Sequence, residues 1–127
     1  MENITRKILL IVEDDAPLRR ALQIVLAREG FEILEARDGK EGLELAFEKH
    51  PDMILLDIIM PVMDGITMLQ KLRADDWGKE AKVIILTNLS DSEKVVEALQ
   101  AGVHDFLVKT DWTINEVVEK VKDKLKK

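Results

Sequence analysis

The stretch MILLDIIMPVMDG, residues 53–65, decides the fold and raises the question of function. Its first four residues are all apolar and predict a short buried strand. The strand ends in a carboxylate, Asp57, and three more apolar residues follow before the turn signal Asp64-Gly65. An ionised carboxylate beside a core is costly unless other groups compensate for its charge. The stretch therefore predicts a buried strand that delivers Asp57 to a site with partners.

The composition excludes several classes of protein. The chain has 127 residues, 46% of them hydrophobic and 35% charged, and we expect one domain, residues 1–127, that folds without metal or disulfide. It has no cysteine, which excludes thiol catalysis and thiolate metal sites. The longest apolar run near the start, Ile8 to Val12, is too short for a signal peptide or a membrane span. The net charge of −6 argues against direct nucleic-acid binding. We expect a cytoplasmic location without membrane contact. We also expect the chain to act through protein contacts, unless these 127 residues are one domain of a longer protein.

Short apolar runs alternate with segments whose apolar residues recur at helical spacing. The predicted strands are 7–12, 31–36, 53–56, 82–86 and 106–108, and the predicted helices are 17–29, 40–49, 66–74, 92–101 and 113–126. Five strands alternating with five helices predict an α/β fold, a parallel sheet with helices on both faces. In such sheets the ligand site lies beyond the carboxyl ends of the strands, where the strand order reverses.

Four of the predicted strands end in acidic, hydroxyl or amine side chains that can bind ions or react. These residues are Glu13-Asp14-Asp15, Asp57, Thr87 and Lys109. If the first and third strands are neighbours, each pair of carboxylates at roughly 5 Å repels by about 3 kcal/mol at an effective dielectric of about 20. Mg²⁺, which prefers oxygen ligands, and a lysine relieve that repulsion. This set predicts phosphoryl transfer, with Asp57 as the nucleophile and Asp14 as a metal ligand.

Four segments resemble the receiver domain of two-component response regulators, in particular single-domain chemotaxis regulators. They are ILLIVEDD (8–15), LLDIIMPVMDG (55–65), VIILT (83–87) and DFLVK (105–109), and their order and spacing match over nearly the whole chain. The resemblance implies a flavodoxin-like, doubly wound (βα)5 fold with strand order 2-1-3-4-5.

The resemblance also implies a role for each matching residue. It implies that Asp57 is the phosphoacceptor and that Mg²⁺, or alternatively Mn²⁺, is bound by Glu13, Asp14, Asp57 and the carbonyl of Ile59. It further implies that Thr87 and Lys109 bind the phosphate and that Phe106 is the aromatic switch residue. One departure from the family pattern is Thr110, which stands where a proline usually follows the lysine in a cis peptide. Since a cis bond before threonine costs about 3–4 kcal/mol, the path of residues 109–113 stays open.

Two apolar residues bear on the lifetime of an aspartyl phosphate. Ile59 and Leu89, two residues beyond Asp57 and Thr87, occupy the places best suited to hold the attacking water. Neither can hydrogen-bond a water, so they predict slow hydrolysis.

The sequence thus predicts a phosphorylation-dependent switch. A histidine kinase or phosphotransfer protein donates the phosphoryl group to Asp57. The chain catalyses this transfer to itself and its own slow dephosphorylation, and is not otherwise an enzyme. Phosphorylation changes the shape of the face formed by helix four, strand five and helix five. A downstream protein or a second copy of the chain binds that face. The expected state is a monomer or a phosphorylation-linked homodimer.

Other functions fit the sequence less well. A Mg²⁺-dependent phosphohydrolase working through an aspartyl phosphate needs a general acid two residues after the nucleophile, where this chain has Ile59. A receiver-like interaction module that takes no phosphate is expected to lack the acceptor, the acid pair or the lysine, and all are present. Nucleotide binding requires a glycine fingerprint after the first strand, where VEDDAP stands.

Overall fold

The fold alternates strands and helices as the sequence predicts. The structure is a computed structural model that describes residues 6–87, 92–103, 105–108 and 113–126, with the backbone alone for Thr87, Ser92 and Lys94. The elements in these ranges are β1 (Ile8–Val12), α1 (Ala16–Arg28), β2 (Glu32–Ala36), α2 (Gly39–Lys49), β3 (Met53–Asp57), α3 (Gly65–Arg73), a 3-10 helix (Gly78–Glu80), β4 (Val83–Thr87), α4 (Ser92–Gln100), β5 (Phe106–Val108) and α5 (Ile114–Leu125). The predicted ends differ by at most one residue, and only the 3-10 helix was not predicted.

All five strands of the described residues form one parallel sheet in the order β2-β1-β3-β4-β5. This confirms the predicted strand order. The chain runs outward from β1 to β2 and then returns past β1 to β3, so the order reverses between β1 and β3. Residues that follow these two strands therefore meet at the crevice where doubly wound sheets bind ligands.

The sheet has a separate apolar core on each face, because successive strand residues point to opposite sides. Leu9 and Ile11 of β1 face α1 and α5, whereas Leu10 and Val12 face α2 and α3. The first four residues of β3 have no exposed surface, which confirms the predicted buried strand. No helix in the described ranges is long and apolar enough to cross a membrane.

Side-chain caps define where the helices begin. Asp15 accepts a hydrogen bond from the Leu18 amide and caps α1, as its position in the sequence predicts. Asp38 and Asp64 cap α2 and α3 in the same way. Thr113 opens α5 with a complete capping box. The cap signals explain why the predicted helix starts were accurate to one residue.

Helical spacing in the sequence predicts that Leu43, Ala46 and Phe47 of α2 all face the core, and for Phe47 this prediction was wrong. Ala46 is fully buried and Leu43 packs against the core, but the side chain of Phe47 is 39% exposed. Consecutive helix residues are separated by about 100° around the helix axis. Because Ala46 faces the core, the next residue, Phe47, is turned away from the sheet.

Arg73 joins the C-terminal ends of α3 and α4. Its guanidinium donates hydrogen bonds to the carbonyl oxygens of Ala101 at 3.0 Å, Gly78 at 2.7 Å and Ala81 at 2.9 Å. Burial lowers the pKa of Arg73 from its ordinary value, and the nearby charge of Glu80 partly opposes this. Arginine nevertheless stays charged at neutral pH, so these are charge-assisted hydrogen bonds.

Gly65 sets the distance between the start of α3 and the end of β3. Its amide donates to the carbonyl oxygen of Ile58 at 2.7 Å. A Cβ at this position would lie 2.1 Å from the backbone oxygen of Asp57. No side chain larger than hydrogen fits there without moving the residue that ends β3.

We expect Gly65→Ala to lower the free energy of unfolding by about 2–3 kcal/mol, because the new methyl group meets backbone atoms that cannot rotate away. Gly102→Ala serves as the comparison. Gly102 has open space around it but a φ of +85°, so that substitution should cost about 1 kcal/mol from backbone strain alone. Urea unfolding of the two variants measures the difference, and equal losses would contradict the steric argument.

Candidate functional site

The C-terminal ends of β1 and β3 lie side by side. Val12 of β1 is in register with Leu56 of β3, so Glu13 and Asp57 are the next residues on neighbouring strands. The Glu13 amide donates to the carbonyl oxygen of Ala36 at 3.1 Å, which continues the pairing of β1 with β2 by one residue. The arrangement predicted from the sequence, two acidic strand ends facing each other, is therefore present.

Three carboxylates converge at this edge of the sheet. One oxygen from each of Glu13, Asp14 and Asp57 lies within 4.8 Å of the other two. Glu13 is 0% and Asp57 4% exposed, whereas Asp14 faces solvent. At such distances each pair repels by about 3 kcal/mol at an effective dielectric of about 20, with stronger solvent screening for Asp14. The donor set, oxygen atoms alone with high negative charge, suits a hard divalent cation.

The acidic segment after β1 is held by its own backbone and by α1. The Asp15 amide donates to Oε2 of Glu13 at 3.1 Å. The Arg19 guanidinium donates through Nη1 to the carbonyl oxygen of Glu13 at 2.7 Å and through Nε to Glu35 at 3.3 Å. Arg19 and Glu35 were not among the residues predicted from the sequence. The sequence carries no signal for them, since Arg20 is an equally plausible partner until the structure shows that it is exposed.

The segment between β3 and α3 folds back over the strand end in a tight turn. The Met63 amide donates to the carbonyl oxygen of Pro61 at 2.7 Å, and Val62 between them has a φ of +67°. The carbonyl oxygen of Met63 in turn accepts from the Gly39 amide at 2.9 Å, which ties the turn to the start of α2. Ile59 lies at the solvent side of this segment and is 53% exposed.

The structure describes only part of the predicted phosphate-binding set. Thr87 ends β4, one residue after Leu86, the partner of Asp57, but its side chain is not described. Lys109, Thr110 and Leu89 lie outside the described residues.

Phe106, the predicted aromatic switch, lies at the start of β5. It is half-buried and packs against the core on the side of α2 and α3. Its backbone is in register with Ile85 of β4.

Comparison with known proteins identifies the family. The family of response regulator receiver domains matches residues 9–122. The transcriptional regulatory protein SrrA of Staphylococcus aureus is 41% identical over 119 residues, which are 94% of this chain and 48% of SrrA. The chain thus spans about half the length of the curated relatives it matches.

Solved structures show the same likeness. A CheY-like receiver domain protein from Methanospirillum hungatei is 30% identical, with a TM-score of 0.88 over 96% of this chain and 95% of that one. The receiver domain of a sensor histidine kinase from Pseudomonas aeruginosa is 25% identical, with a TM-score of 0.87 over 97% of this chain and all of that one. The latter structure holds a magnesium ion in its active site cleft.

The family match, the relatives and the strand order together show that this chain belongs to the response regulator receiver domains of two-component systems, with a CheY-like, flavodoxin-like fold.

Proposed function

We propose that residues 1–127 form one receiver domain that acts as a phosphorylation switch, with Asp57 as the phosphoacceptor. The observation that carries this proposal is the convergence of Glu13, Asp14 and Asp57 within 4.8 Å at the C-terminal edge of the sheet. The donor is a phosphohistidine of a histidine kinase or phosphotransfer protein, a partner class that fits the family.

The position of Asp57 supports its role as the nucleophile. It ends the central strand, with the acidic residues of β1 on one side and the end of β4 on the other. A carboxylate oxygen of Asp57 attacks the phosphorus, the P–N bond of the phosphohistidine breaks, and the imidazole leaves. The product is an acyl phosphate, which the chain forms by itself and hydrolyses slowly.

The donor set fits Mg²⁺, with Mn²⁺ as the alternative. The proposed ligands are Glu13, Asp14, Asp57 and the backbone carbonyl of Ile59. When bound, the ion neutralises charge on the phosphoryl oxygens and on the carboxylates. The magnesium ion in the Pseudomonas aeruginosa receiver domain supports the assignment by likeness. We assign phosphate binding to Thr87, the last residue of β4, and to Lys109, which follows β5 in the sequence.

Output is proposed to pass through the face of α4, β5 and α5. Phe106 is the proposed switch residue, and β5 is an edge strand with β4 as its neighbour. Val96 and Leu99 of α4 are 53% and 43% exposed, so α4 offers apolar surface to a downstream protein. A monomer or a phosphorylation-linked homodimer, a cytoplasmic location and the absence of nucleic-acid and membrane binding stay predictions.

Mg²⁺ is expected to stabilise the wild-type chain by about 2.7 kcal/mol at roughly 100 times its dissociation constant. Asp14→Asn should remove most of that gain. Without metal it should raise the free energy of unfolding by about 1 kcal/mol, because it relieves a repulsion that solvent already weakens. Thermal and urea unfolding with and without Mg²⁺ measure both effects.

Asp15→Asn is the matched control for that prediction. It removes one charge from the neighbouring residue and keeps a side chain that caps α1 well. Its Mg²⁺ response should equal that of the wild type. A wild-type protein without any Mg²⁺ response would refute the metal site.

Asp57→Asn is expected to abolish phosphorylation by acetyl phosphate and by a panel of histidine kinases. Asparagine keeps the shape of the side chain but is a far weaker nucleophile than a carboxylate. Asp76→Asn, a change at a fully exposed carboxylate, should leave phosphorylation unchanged. Intact-mass analysis counts the phosphoryl groups, and a modification that persists in Asp57→Asn would show that another residue is the acceptor.

The aspartyl phosphate is expected to be long-lived, and Ile59→Asn should shorten its lifetime roughly tenfold, since an amide can hold the attacking water by a hydrogen bond. Adding Leu89→Glu should shorten it further. Val62→Asn, in the same exposed turn, is the control and should leave the lifetime unchanged. The measurement is decay of the phosphorylated species in Mg²⁺ after removal of the donor. Equal decay in all variants would mean that Ile59 does not control water access.

A further inference from the structure

Arg19 is a partly buried cation beside the acidic cluster. Its side chain is only 14% exposed, near the start of α1. It donates to the carbonyl oxygen of Glu13 at 2.7 Å and forms an ion pair with Glu35 of β2 at 3.3 Å. Removing a guanidinium from water is costly unless its donors are used, and here one binds the residue that follows β1 and another binds Glu35 of β2.

The carbonyl that Arg19 binds belongs to the peptide unit between Glu13 and Asp14. A peptide unit is planar and rigid, so a hydrogen bond that restrains its oxygen also restrains the orientation of the plane and, with it, both flanking Cα atoms. This limits the directions in which the side chains of Glu13 and Asp14 can leave the backbone. A second hydrogen bond, from the Asp15 amide to Oε2 of Glu13 at 3.1 Å, holds one of those side chains from the other end of the segment.

We propose that Arg19 is a positioning residue for the acidic pair, with Glu35 as its anchor on β2. The guanidinium holds the peptide plane so that Glu13 and Asp14 both point at the end of β3. This inference rests on the proposed metal site, because it assigns the pair its geometry for cation binding. Outer contacts of this kind typically change metal affinity by about 10–100-fold when they are removed.

Positioning and simple electrostatics make opposite predictions for Arg19→Gln. Removing a positive charge near three carboxylates makes the site more negative, which by itself strengthens the binding of Mg²⁺. Loss of positioning weakens it. Arg20→Gln removes the same charge from the next residue of the same helix, where the side chain is exposed.

The experiment measures Mg²⁺ dissociation constants of the full chain by calorimetry, with circular dichroism to verify folding. We expect Arg19→Gln to bind Mg²⁺ about 10–100-fold more weakly, and Arg20→Gln to stay within about twofold of the wild type. Arg19→Lys should fall between them, because one ammonium cannot span both the Glu13 carbonyl and Glu35. A folded Arg19→Gln that binds as tightly as the wild type, or more tightly, would overturn the proposal.

A second readout needs no metal. Hydrogen exchange of the Asp15 amide in the metal-free protein should accelerate about tenfold in Arg19→Gln and stay unchanged in Arg20→Gln, because the Glu13 side chain that accepts this amide is then less well held. Unchanged exchange in Arg19→Gln would overturn the proposal. If the wild type binds no Mg²⁺, the proposed metal site fails and this exchange measurement alone decides the role of Arg19.

Should Arg19→Gln not fold, Arg19→Lys and Glu35→Gln decide the question by the same two measurements. Glu35→Gln keeps the bond to the Glu13 carbonyl but loses the ionic anchor, so we expect a severalfold weaker affinity for Mg²⁺. If both variants match the wild type in affinity and in exchange, Arg19 does not position the pair.

Discussion

The mutual repulsion of three carboxylates at one edge of the sheet is the constraint on which the site depends. Glu13, Asp14 and Asp57 come within 4.8 Å of one another, and two of them are buried. Such a cluster persists only where the surrounding backbone cannot relax away from it. The fully buried β3 and the close approach of Gly65 provide that rigidity on one side of the crevice.

On the other side of the crevice, the acidic segment is held by contacts with α1 and β2. The Asp15 cap fixes the start of the helix, and Arg19, about one turn later, reaches back to the segment and across to Glu35. The elements that build the core thus also orient the carboxylates. Folding already holds the carboxylates together against their repulsion, so a cation that binds there does not have to bring them together. Because the cation binds the folded chain, we expect metal binding to raise the stability of the fold.

Much of the fold was predictable because local signals agreed with the tertiary structure. Short apolar runs predicted the strands, and cap residues such as Asp15 and Asp64 predicted the helix starts to within one residue. The errors occurred where local signals are weak. The 3-10 helix at Gly78–Glu80 is a single turn without a periodic pattern, and Phe47 is apolar although α2 turns it away from the sheet.

The sequence by itself determined which residues carry the chemistry, because carboxylates directly after apolar strands are visible without a structure. Only the tertiary structure decided how they are arranged. Glu13 and Asp57 are 44 positions apart in the chain and meet only because β1 pairs with β3 in one register. Likewise, two adjacent arginines are equivalent in sequence, and only the face of α1 that is turned toward the sheet determines that Arg19 binds the acidic segment while Arg20 faces solvent.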